Sequence, residues 1–113
     1  MKLKQKTILM SLKGEPLKNE KGVSITLQDV VVESLLWVHQ GDDGKVKYEK
    51  YKLAQKFMSN ENTVSVTSEE IVTIKESVGK VYGPAVIGPC FDILENNVET
   101  LKEVSADPIQ KDA

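Results

Sequence analysis

The chain carries a single histidine, His39, and a single cysteine, Cys90, so any nucleophilic centre would be built from these two. A Cys–His pair does acyl-transfer chemistry when the imidazole lies within hydrogen-bond reach of the thiol and holds it as thiolate. Cys90 stands between Pro89 and Phe91 in an apolar stretch, which reads as a small core side chain. His39 follows a long apolar run and precedes Asp42 and Asp43. There it reads as a polar residue at a helix C-terminus, where a cation meets the negative end of the dipole. An enzyme built on the pair needs Cys90 open to a thiol reagent in the folded chain. One cysteine forms no intrachain disulfide and no cysteine-based zinc site. Gly41-Asp42-Asp43-Gly44 sets two acids side by side, whereas a calcium loop alternates them, so the segment reads as an interhelix turn. No phosphate-binding loop, dinucleotide fingerprint or His-Glu-x-x-His motif occurs. The residues predict no enzyme, no metal and no cofactor.

Binding is the remaining chemistry. Lys45, Lys52 and Lys56 fall on one face of a helical stretch with Tyr48 close by. Lysines interleaved with aromatics hold single-stranded nucleic acid by charge and stacking. The same pattern is also an ordinary solvated helix face, and Lys2, Lys4 and Lys6 are what guards an edge strand. The chain contains no arginine, and lysine lacks the planar fork that reads guanine edges. Its net charge of -2 gives no electrostatic footprint for nucleic acid or an anionic membrane. Trp37 is the only tryptophan. It reads as core packing, because its helix is apolar around most of its circumference. With Tyr48 and Tyr51 it is otherwise the candidate protein-binding surface, since exposed aromatics make anchors. A helix apolar all round must have its outer side covered, by the N-terminal sheet or by another subunit.

These residues have to be positioned by a chain of 113 residues, the length of one domain. Apolar residues at 40% and charged residues at 28% sit close to globular averages, so an ordinary core forms without disulfides or metal. The basic start, Met1-Lys2-Leu3-Lys4-Gln5-Lys6, is followed by no apolar stretch of signal-peptide length. No run approaches the roughly 18 apolar residues of a membrane span. A soluble, intracellular, reducing setting is the expectation.

One segment occurs twice. Val23-Ser24-Ile25-Thr26-Leu27-Gln28-Asp29-Val30-Val31 recurs as Val64-Ser65-Val66-Thr67-Ser68-Glu69-Glu70-Ile71-Val72. Each copy reads as a short strand, a Thr N-cap, acids in the first turn and an apolar helix. The fold predicted is mainly α, of the α+β class, with about four helices. A small β element comes from the N-terminal strand and the two repeated short strands, which pair across a pseudo-symmetric core. Ile8, Met10 and Leu12 alternate on one face of the first strand, with Leu3 out of phase, so a bulge or a start near residue 5 is expected. The helices are expected through Val38, over 45–59, over about 67–83 and over 84–95. Leu53, Ala54, Phe57 and Met58 form the stripe of the second, and Ile71, Ile74, Val78 and Val81 that of the third. Gly88-Pro89 should kink or split the fourth and Asn96-Asn97 end it. The domain is then 1–96, with pseudo-repeats 23–59 and 64–96. Residues 97–113 form a tail, with a weak helix through Val98, Leu101 and Val104 and disorder from about Ser105.

Leu27-Gln28-Asp29-Val30-Val31, Tyr51-Lys52-Leu53-Ala54-Gln55-Lys56, Glu70-Ile71-Val72-Thr73-Ile74-Lys75 and Val78-Gly79-Lys80-Val81-Tyr82-Gly83-Pro84 resemble small, mostly uncharacterised proteins encoded by bacteriophages and prophages. Gly14-Glu15-Pro16-Leu17 fits the same pattern, and the resemblance spans residues 5 to 95. Its motifs are caps, apolar faces and a Gly-Pro junction, and they carry no catalytic assignment. The resemblance implies a phage origin and a place in the host cytoplasm or the virion. The expected function is a non-enzymatic accessory protein that binds a host or phage protein, as a virion assembly factor or an inhibitor of a host factor. The alternative is a single-stranded nucleic-acid binder using the Lys/Tyr helix face. No membrane partner is expected, and self-association stays open.

Overall fold

The computed structural model describes residues 2–103. They form β1 (Lys2–Lys4), α1 (Leu27–Leu36), α2 (Gly44–Lys56), β2 (Thr63–Ser65), α3 (Ser68–Val81) and α4 (Pro84–Glu103). The protein is mainly α with a small antiparallel β element, as the sequence predicts. α1 is central and packs on α2 and α3, while α4 packs on α3 and reaches β1. No helix of the described residues is long and apolar enough to cross a membrane.

The repeated segment nucleates the two packed helices in the same way. Thr26 caps α1 by accepting the Asp29 amide, and the Asp29 carboxylate accepts the Thr26 amide in return. Thr67 and Glu70 close the same reciprocal box on α3. Each box satisfies two amides that the helix itself leaves unbonded.

The strand halves of the repeat do not pair with each other. The N-terminal segment completes both: Leu3 stands opposite Val64 in the β1–β2 ladder, and Ile8 bridges Thr26. This segment supplies apolar side chains as well as peptide groups, since Leu3 and Leu9 enter the core from it. Its phase is therefore the reverse of the one expected. Leu3, Gln5 and Leu9 are buried, whereas Ile8, Met10 and Leu12 are exposed. β1 begins at Lys2, and a turn at Gln5-Lys6, closed by the Thr7 amide donating to the Lys4 carbonyl at 3.1 Å, separates it from the segment that carries Leu9.

Two glutamines hold the loop between α2 and β2. Gln5 Nε2 donates to Ser59 Oγ at 3.1 Å and to the Glu61 carbonyl at 2.6 Å. Gln28 Nε2 donates to the Phe57 and Ser59 carbonyls. Buried backbone acceptors outside a helix or ladder need such partners.

Three further boundaries differ from expectation. α1 stops at Leu36, because the Ser34 carbonyl is taken by the Trp37 amide at 3.4 Å and by His39 Nε2 at 2.8 Å. α2 ends at Lys56, and Met58 is exposed while Leu53, Ala54 and Phe57 are buried. α4 runs without a break through Pro89 and past Asn96-Asn97. The residue before a proline resists the helical conformation partly through its Cβ, and Gly88 has none. Val104 and the residues from Ser105 onward lie outside the described residues.

Candidate functional site

Residues 7 to 27 form a clip built on an eight-residue spacing. The Leu9 amide donates to the Ile25 carbonyl, the Ile25 amide to Leu17 and the Leu17 amide to Leu9, at 2.8–2.9 Å. The three residues thus close a ring of backbone hydrogen bonds. The two turns between them repeat each other. Ser11 Oγ accepts the amides of Lys13 and Glu15, and Asn19 Oδ1 accepts those of Lys21 and Val23. Each turn needs a left-handed residue, supplied by Gly14 at φ 82° and Gly22 at φ 81°. The spaced pairs Lys13-Gly14 and Lys21-Gly22 are the sequence signal that reveals this clip.

The clip and the first turns of α4 enclose an apolar groove of about 870 Å³. Residues 7 to 13 line one wall without a gap, so the groove runs along that segment, which carries isolated bridges at Ile8 and Met10. The other wall is one face of α4: Pro84, Ala85, Gly88, Pro89, Asp92 and Ile93. The Thr7 carbonyl and the backbone groups of Leu9 and Ser11 bond within the clip, whereas Ile8 and Met10 stand as non-hydrogen-bonded bridge partners of Thr26 and Pro16. Among the described residues, no hydrogen bond uses the N–H or C=O of Ile8 or Met10.

The surfaces predicted from sequence lie elsewhere. Trp37 is 56% exposed, which overturns its reading as a core residue. With Leu36 and Val38 it lines a cleft of about 180 Å³ that also contains Asp42, Lys47 and Lys50. The Lys50–Asp42 ion pair at 2.5 Å closes that cleft. Tyr48 and Tyr51 are exposed and stack on each other with centroids 6.4 Å apart. Lys52 Nζ lies 5.6 Å from the Tyr48 centroid. Tyr48 belongs to a different groove, between α2 and α3, so Trp37 and Tyr48 do not line one pocket.

That second groove mixes its charges. Lys50, Lys52, Lys56 and Lys80 line it together with Asp42, Glu49, Glu69, Glu70 and Glu76. Lys56 is held by both Glu70 oxygens, at 2.9 and 3.0 Å. Lys45 stays exposed at the start of α2 and lines none of these grooves. A phosphate backbone entering here meets carboxylates as well as lysines.

Cys90 is fully buried, and burial pushes its thiol up to about 12. Burial is the only cause of that shift, so no imidazole or other cation favours a thiolate. His39 is spent on the Ser34 carbonyl at the end of α1. Among the described residues no three His, Cys, Asp or Glu side chains gather as metal ligands.

Two carboxyls make folding acid-sensitive. The hydrogen bond from Lys50 holds Asp42 below its ordinary 3.8. Burial acts to raise Glu70, but bonds from Lys56 and the Thr67 amide outweigh it and hold the group below 4.5. The unfolded chain therefore takes up protons near these ordinary values before the folded one does. The stability is fully present above them and is lost as pH falls through the depressed values. Thermal melts should show Tm dropping progressively below about pH 4.5. A Tm unchanged between about pH 5 and 3 would refute this linkage.

No known protein-family model, curated protein or solved structure matches the chain.

Proposed function

We propose that this chain is a non-enzymatic accessory protein of phage or prophage origin that acts by binding another protein. The observation that carries this reading is the apolar groove between the clip and α4, bordered by Ile8, Met10 and Leu12 in solvent. Apolar concavities of several hundred Å³ are what ligands and partner segments fill. Its lining is mostly apolar, with Lys13 and Asp92 as its charged residues, which suits recognition of an apolar segment. The role is virion assembly or inhibition of a host factor, in the host cytoplasm or the virion.

A second reading, single-stranded nucleic-acid binding through Lys45, Tyr48 and Lys52, rests on the Tyr48–Tyr51 stack and the cation over Tyr48. Tagged protein incubated with lysates of infected and uninfected cells separates the two. Specific, nuclease-resistant retention of one protein supports protein binding. Retention that nuclease abolishes moves the assignment to nucleic acid. Retention no different from a tag-only control overturns both.

A further inference from the structure

We draw no further inference here: the strongest candidate, the apolar groove between residues 7–13 and α4, sets Lys13 against Asp92 as its charged lining, and nothing in the structure shows what covers it.

Discussion

Replacing Phe57 with alanine should lower the unfolding free energy by about 3–5 kcal/mol. Phe57 is fully buried and is the largest such side chain among the described residues. It closes α2 from the C-cap position and enters the core beside Leu53 and Ala54. Truncation removes the transfer free energy of the ring and leaves a cavity that packed neighbours fill only in part. The backbone role of the residue survives, since its carbonyl still accepts from Gln28 Nε2. The measured loss therefore reports packing and not the loop. Domains of this size are stable by roughly 5–15 kcal/mol, so the variant should unfold at much lower urea with an unchanged m-value. Met58→Ala is the matched control. Met58 is exposed, and its truncation should stay within about 0.5 kcal/mol. Equal costs at the two positions would mean that α2 ends with a different face toward the core.

What was legible in the sequence was local. Thr26 with Asp29 and Thr67 with Glu70 are capping boxes written within four residues, and both helices begin where they specify. Ile71, Ile74 and Val78 face the core at helical spacing, as their periodicity predicts. Features decided by distant partners were not legible. Apolar content continues through Trp37 and Val38, so the end of α1 depends on His39 turning back to Ser34. The phase of the first strand is set by what it pairs with, and two-residue periodicity allows either face. The aromatics of α2 were visible as residue types, but their separation from Trp37 comes from the packing of α1 on α2. The groove was invisible because its walls, residues 7–13 and 84–93, meet only in the fold.

The parity of the N-terminal segment yields the second large effect. Leu9→Ala should cost about 2–5 kcal/mol, while Ile8→Ala and Met10→Ala on either side stay within about 0.5 kcal/mol. Leu9 is fully buried, and its neighbours are 43% exposed each. Alternation of Ile8, Met10 and Leu12 taken alone assigns the core to the other face and reverses the order of the three variants. Thermal melts separate the cases, since about 2 kcal/mol moves Tm by at least about 4 °C in a domain of this size. Leu9 donates to Ile25 and accepts from Leu17, so loosening its side chain loosens the ring that presents the Ile8 and Met10 peptide groups. Met10→Ala leaves the ring intact, because the ring is built from the backbone groups of Leu9, Leu17 and Ile25. Stability that followed the even-numbered positions would place Leu9 in solvent and Ile8 and Met10 in the core.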